Sequence, residues 1–363
     1  MLMADKIAGI MANGYLRAPI TGMRCPFCSC DDGSILYRVT SQQAATHFVS
    51  PSVDKVRNAR LQTVVERLWD APSCQLIECS SCLGVWSSPH VSGDSEFYQI
   101  LYEKQHAGSY PSDRWEYKES LRLCSALDGG SLESQTILEI GAGDGAFVKK
   151  VIEAGAAQPS ITVLEYSDHG KNTIRAKYPG VHVRDGEDMA LLPHSHFSHV
   201  FLFQVLEHLG NLNSFLSQLH RILKPNGLAF ISVPNPLQVE FNELNKLLLD
   251  MPPNHISRFT EGAIHPLSAR AGLSLELLTD EGFSWKSQIS GYLSSRYMRL
   301  GQSRLSFPSL IDHCLDGAVR RMAAGLFVLI FLPEALLKLS SLSPRGIGGS
   351  RLIVLRKRNN GLL

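Results

Sequence analysis

A single stretch, TILEIGAGDGAFVKKVIEAG at residues 136–155, limits the folds open to this chain. A short apolar run leads into Gly141, Gly143 and Gly145, and helical spacing follows from Ala146 to Ala154. Glycines at alternate positions let the backbone turn sharply and approach a ligand with no Cβ in the way. The turn also presents amide N–H groups at a helix start, where a carboxylate or phosphate is stabilised. The spacing is G-x-G-x-G rather than the G-x-G-x-x-G of dinucleotide loops. Glu139 stands just before it, where its charge would repel a pyrophosphate, so a nicotinamide oxidoreductase is disfavoured. Further on, the run ITVLEY places Glu165 at a strand end, where a carboxylate can accept from both hydroxyls of a ribose.

From about Tyr110 the chain alternates in texture. A helix is expected over Arg114–Ala126 and a strand over Thr136–Ile140; ITVLEY, HVFLFQV and GLAFISVP are further strands, separated by helical spacing at His169–Lys177 and Leu212–Leu223. That alternation predicts an α/β fold, a doubly wound Rossmann-like parallel sheet. After Asn235 come a polar, proline-marked insertion containing MPPNH, a helix near Glu261–Ala271, a strand at LSLELL, a helical region over 283–345 and a last strand in SRLIVLRKR. Residues 1–105 lack sustained alternation, and their one long helical stretch is Val53–Trp69. The expected division is an N-terminal module, 1–105, and a larger domain, 106–363.

Four stretches, EIGAGDGAF at 139–147, LEY at 164–166, FQVLEHL at 203–209 and RILKPNGLAFISVPN at 221–235, together resemble the class I S-adenosylmethionine-dependent methyltransferases. They stand in that family's order. The resemblance implies that Glu139, Gly141, Ala142, Gly143 and Gly145 line the methionine end of the cofactor. Glu165 would bind its ribose, Asp185 or Glu187 would lie near its adenine, and Tyr166 and, at the end of the fourth strand, Gln204 would be further cofactor-binding residues. Two positions depart from the family pattern: Phe197-Ser198 replaces a Phe-Asp pair, and Pro225-Asn226-Gly227 replaces a Pro-Gly-Gly turn. Asn tolerates positive φ, so the turn is expected to survive.

Ligands of open α/β sheets bind outside the carboxyl ends of the strands. There Glu207 and His208 follow Gln204, and His208 is either a general base or a histidine bonded to its own loop. His255 in PPNHISRFT is the second candidate base, since the resemblance puts that loop over the substrate. Glu207, His208 and His255 could also gather a divalent ion, as in some quinone and small-RNA methyltransferases, although those have an acid where this chain has Gln204. Tyr110, Trp115 and Tyr117 precede the first strand, where the family places a helix over the cofactor; packing is their expected role.

Six of the eight cysteines fall before residue 83. CPFC (Cys25, Cys28) and CSSC (Cys79, Cys82) are two knuckles whose four thiolates suit a structural Zn²⁺, with Cys30 and Cys74 spare. Residues 1–19 do not read as a signal peptide, and paired knuckles fit a reducing compartment, so a cytoplasmic location is expected. A zinc module ahead of such a domain is similar to bacterial enzymes of deoxysugar and cell-surface glycan biosynthesis. The chain lacks the Tyr-His-Glu-His stretch of the sugar C-methyltransferases, which favours O-methylation of a small molecule or sugar. C-methylation of a nucleotide-linked sugar, or a non-catalytic module recruiting a partner through the zinc module, are the alternatives. Lys plus Arg exceeds Asp plus Glu by 35 − 34 = 1, so no global basic field exists to hold a nucleic acid. The apolar run Met322–Pro333 is too short to span a bilayer by itself. It reads first as a buried helix of the main domain, and otherwise as an interfacial helix making peripheral membrane contact or as an apolar substrate wall.

Overall fold

The computed structural model describes residues 18–358 except 52, 104–112, 130, 246–249, 302, 304 and 344–345. Tyr110 and most of the stretch weighed as a signal peptide lie outside the described residues.

The larger sheet has seven strands. In chain order these are β5 (Ile137–Ile140), β6 (Ile161–Glu165), β7 (His182–Asp185), β8 (Phe197–Phe203), β9 (Leu223–Pro234), β11 (Leu273–Gly282) and β12 (Ile347–Lys357), arranged β11-β12-β9-β8-β5-β6-β7. Strands β9, β8, β5, β6 and β7 run parallel, and β12 and β11 join antiparallel at one edge. The order reverses between β5 and β8, which is where a doubly wound sheet opens its binding crevice. The runs ILEI and ITVLE are buried along their whole length, as strands covered on both faces must be. Asn226 adopts φ 63°, so the Pro-Asn-Gly turn does survive. Tyr117, on the helix before β5, packs edge-on to Phe203 at 4.8 Å and against Phe147 at 5.1 Å. Packing is thus the role of this aromatic.

Residues 18–102, which carry little strand pattern in the sequence, form a second sheet. Its strands β1 (Ala18–Thr21), β2 (Asp32–Thr40), β3 (Ser73–Cys79) and β4 (Val85–Ser88) make an antiparallel meander. Helices α1 (Ser41–Phe48), α2 (Lys55–Trp69) and α3 (Ser95–Tyr102) cover one face, with Leu61, Val65, Trp69 and Phe97 fully buried or nearly so. The fifth strand of this sheet, β10 (Ser257–Arg258), comes from the far half of the chain and pairs with β4.

The remaining helices are α4 (Trp115–Asp128), α5 (Ala146–Glu153), α6 (Asp168–Lys177), α7 (Leu212–Ile222), α8 (Pro236–Leu244), α9 (Glu261–Arg270), α10 (Trp285–Leu300), α11 (Phe307–Cys314) and α12 (Gly317–Leu339). The expectation that Met322–Pro333 is a buried helix fails. It belongs to the longer helix α12, of which only Phe327, Ala335 and Leu339 are buried. An apolar count cannot tell whether a helix meets a partner on every side, and this one meets the protein along a single stripe.

Candidate active site

The glycine loop has the backbone its residues allow. Gly141, Gly143 and Gly145 all lie at positive φ (77°, 57° and 82°), and a Cβ on Gly141 would stand 2.7 Å from Val205. Glu165 closes the loop from the neighbouring strand: its two oxygens accept from the amides of Gly143 at 2.7 Å and Ser167 at 2.8 Å. A carboxylate has about four acceptor sites, so two stay free for ligand hydroxyls. Glu139 is buried at the end of β5, and its Oε2 has no hydrogen-bond partner among the described residues. Burial and the nearby Glu165 carboxylate push its pKa upward against the pull of Arg114. An unsatisfied carboxylate beside a Cβ-free loop suits the ammonium of an amino-acid ligand. Buried Ala142 lines the turn between them.

Beyond the loop, Tyr166 is half exposed and lies flat on Gly186, where a Cβ would meet its ring at 2.5 Å. Asp185 pairs with Lys171 at 3.0 Å, which lowers its pKa. Glu187 follows, just before the short turn Asp188–Leu191. Gln204 stands at the carboxyl end of β8 with φ 57°, its amide on the Ser232 carbonyl at 2.9 Å and its side chain 3.3 Å from the Ser232 hydroxyl. The implied cofactor residues therefore line the ends of β5, β6, β7 and β8.

Glu207, His208 and His255 converge next to this crevice, each offering a donor atom within 4.8 Å of the others. Glu207 is fully buried with neither oxygen hydrogen-bonded among the described residues, and burial carries its pKa up to about 7 although His255 opposes the rise. His208 Nδ1 sits 2.7 Å from the Asn254 carbonyl and 3.0 Å from the Tyr98 hydroxyl. A carbonyl only accepts, so Nδ1 carries the proton toward it and Nε2 is left unprotonated. Burial, with the neighbouring His255 charge, drops His208 to about 3, which keeps it neutral. His255 is different: its Nδ1 is 2.7 Å from Asp250 Oδ1. Burial works against the imidazolium, but the Asp250 hydrogen bond and charge, helped by Glu207, bring the net pKa above the usual value. Asp250 is held low by the same pairing in spite of its burial. The His208 and His255 rings meet edge-on at 4.7 Å.

Asp250 and Tyr98 escape the sequence reading. An acid five residues before a loop histidine was the only signal for Asp250, and nothing local points to Tyr98, which comes from α3. The small sheet in fact builds the loop that carries His255. Gly93 donates to the Pro253 carbonyl at 2.8 Å, Ser87 to Ile256 at 2.9 Å, and His90 Nε2 lies 2.9 Å from the Ser257 hydroxyl. Behind them a buried ion pair, Arg258 to Glu243 at 2.9 Å, takes in the Tyr37 hydroxyl of β2, 2.9 Å from Arg258.

The four knuckle thiols also converge, again within 4.8 Å, with Cys25 and Cys82 sulfurs 3.7 Å apart and Cys28 and Cys79 sulfurs 3.5 Å apart. A tetrahedral ion with bonds of about 2.3 Å places its sulfurs about 3.8 Å apart, so the spacing fits Zn²⁺ and is far too long for a disulfide. Each knuckle closes on a left-handed residue, Ser29 at φ 67° and Leu83 at φ 60°, whose amide returns to the carbonyl of the first cysteine at 3.0 Å. Of the two spare cysteines, Cys30 turns to the Asp32 carbonyl and Cys74 is buried in the α-helical side of the module. Helix α9 clamps both knuckles: Arg270 donates to the Pro26 and Phe27 carbonyls, and Thr260 to the Cys82 carbonyl at 2.7 Å.

A family model described as a methyltransferase domain matches residues 114–278, the span holding the glycine loop, Glu165, Glu207 and His255. This span is a class I S-adenosylmethionine-dependent methyltransferase domain. Among curated relatives, the chain is similar to a probable S-adenosylmethionine-dependent methyltransferase of Mycolicibacterium smegmatis, 29% identical over 39% of this chain and 52% of the relative. It is also similar to one of Mycobacterium tuberculosis, 31% identical over 33% and 40%. The chain thus matches about half the length of these relatives or less. Among solved structures, an S-adenosylmethionine-dependent methyltransferase from Mesorhizobium loti aligns at 15% identity and TM-score 0.42, over 68% of this chain and 100% of that one.

Proposed function

We propose that this methyltransferase domain methylates a hydroxyl of a small-molecule or sugar acceptor, with His255 as the general base. The observation that carries the reading is the Asp250–His255 pair, 2.7 Å apart and buried beside the crevice. Asp250 fixes the tautomer with the proton on Nδ1 and leaves Nε2 free to accept the acceptor's proton, the division of labour of a carboxylate–imidazole pair. Bound S-adenosylmethionine supplies an electrophilic methyl group. Glu139 would hold its ammonium, Glu165 its ribose hydroxyls and the Asp185–Glu187 turn its adenine, with Tyr166 and Gln204 lining the crevice. Neutral His208 and the Asn254 carbonyl hold the loop in register. Proximity does most of the remaining work, because in-line displacement depends on alignment.

Cys25, Cys28, Cys79 and Cys82 are assigned to a structural Zn²⁺ that seats α9 and, through it, the His255 loop; a cytoplasmic setting goes with reduced thiols. A second reading gives Glu207, His208 and His255 to a divalent cation. It is favoured by the two oxygens of Glu207, which have no partner among the described residues, and by the Asp250–His255 bond, since a metal-bound imidazole usually donates its other N–H to a carboxylate.

The test is incubation of the purified protein with methyl-labelled S-adenosylmethionine and fractionated extract, with identification of the labelled product. A labelled O-methyl ether on a small molecule or sugar supports the proposal. Label in nucleic acid, or cofactor binding with no transfer to any fraction, overturns it. Loss of transfer on chelation that spares the knuckle zinc would select the cation reading.

A further inference from the structure

Helix α4 begins against its own local rules. Arg114 stands at its N-cap, in extended backbone and with no side-chain cap bond, where Ser, Thr, Asp or Asn is preferred and the helix dipole disfavours a cation. A residue that breaks a local rule without a local gain points to a role elsewhere. The Arg114 side chain is only 20% exposed, so water cannot serve all of its guanidinium N–H donors. Among the described residues they find little: Glu116 Oε1 is 3.7 Å away, outside hydrogen-bond reach, and the guanidinium lies 5.8 Å from the centre of the Tyr117 ring. Neighbouring groups fix this arrangement. Asp113 pairs with Lys118 at 2.7 Å and with Lys150 of α5 at 3.3 Å, while Tyr117 packs on Phe147, just past Gly145, and on Phe203, beside Gln204. Arg114 is thereby held at the glycine loop, where its charge acts on Glu139.

We propose that Arg114 holds the carboxylate at the methionine end of S-adenosylmethionine, while Glu139 holds the ammonium. Among the described residues the ion pair of Arg114 is the loose one with Glu116, and Glu139 Oε2 has no hydrogen-bond partner. A mostly buried guanidinium and a buried carboxylate, each feeling the other's charge and each short of partners, are complementary to a group that carries an ammonium and a carboxylate on one carbon. A guanidinium fits a carboxylate closely, and charge-assisted bonds of this kind are strong. The pair with Glu116 keeps the guanidinium at the loop and leaves its donors for the ligand. The inference rests on the cofactor lying at the glycine loop, and it is independent of the acceptor and of the base.

The test is calorimetry on the full chain with S-adenosylmethionine and with its decarboxylated form, which keeps the ammonium and lacks only the carboxylate. Wild type binds the decarboxylated form about 10- to 100-fold more weakly, the range for hydrogen bonds to a charged group. Arg114→Gln loses affinity for S-adenosylmethionine by about that factor and binds the decarboxylated form as wild type does. Arg114→Lys, which keeps the charge but not the planar fork, recovers part of the loss. Because Arg114→Gln leaves buried Glu116 without its cation, the measurement is repeated in Arg114→Gln/Glu116→Gln, where no acid is stranded, and shows the same selectivity. Equal loss for both ligands in these two variants would make Arg114 a structural partner of Glu116, and unchanged binding of both ligands would leave it no part in recognition; either result overturns the inference. If wild type binds neither ligand, the cofactor reading of the loop falls, and this inference with it.

Discussion

Asp250 Oδ1 lies 2.7 Å from His255 Nδ1, and both belong to a loop held from two sides, by the small N-terminal sheet through β10 and by the turn after β8 through His208 and Glu207. The histidine next to it in space, His208, spends its Nδ1 on a backbone carbonyl. Two imidazoles in edge contact thus have opposite tendencies, one kept neutral and one kept basic.

Asp250→Asn is expected to lower kcat by roughly 10²- to 10³-fold with little change in KM, since His255 becomes a weaker and less well oriented base while binding surfaces remain. The pH profile gives a sharper check. His255 acts as base only when neutral, and its pKa is raised in the folded protein. Activity should therefore climb as pH rises through that raised value, which lies above the ordinary histidine value. Without Asp250 the largest influence left is burial, which lowers the pKa, so the rising limb should move to lower pH. A limb that stays put, measured by initial rates across pH, would assign it to another group.

Gly143→Arg tests the cofactor loop. The side chain would enter a turn at φ 57° whose amide is bonded to Glu165. Binding of S-adenosylmethionine, measured by calorimetry, should fall at least about 10²-fold, as expected when a strained backbone and a blocked site add. A folded variant that binds as well as wild type would remove the cofactor from this loop.

Zinc removal should reach beyond the knuckles, because Arg270 and Thr260 tie them to α9. Chelation or Cys79→Ser is expected to lower the melting midpoint by about 5 °C or more and to raise hydrogen exchange at residues 250–258. Cys30→Ser should leave metal content unchanged, because Cys30 points to the Asp32 carbonyl. Equal metal loss in both variants would refute the four-thiol assignment.

Six strands of the larger sheet were legible because their signals are local: ILEI, ITVLE and FSHVFLF are largely buried runs, and the glycines of the loop fix its φ values, whereas β7 is a short, polar, mostly exposed edge strand with no such signal. The small sheet was not. β1 and β4 have four residues each, the longer β2 and β3 mix polar and apolar residues, and β10 is two residues long and exists only by pairing with β4 across the fold. Asp250 was missed for the same reason, since its partner is set by how the Met251–Asn254 turn closes. Helix α12 was legible as a helix but not as an exposed one, because residue type does not record which face finds a neighbour.

Arg258 and Glu243 provide the last test, of how firmly the two sheets are joined. Both are buried, paired at 2.9 Å, and shared with Tyr37. Taking one charge out leaves the other buried without a partner, which costs about 3–5 kcal/mol. Arg258→Met and Glu243→Leu should each lose stability of that order in denaturant unfolding. The double variant should recover most of it, because no charge is then stranded and the apolar replacements fill similar volume. His255 sits three residues before Arg258, so the single variants should also lose activity under conditions where they remain folded. Additive losses in the double variant would mean that the pair is not coupled, and that the join rests on the packing of Phe27 against Phe259 instead.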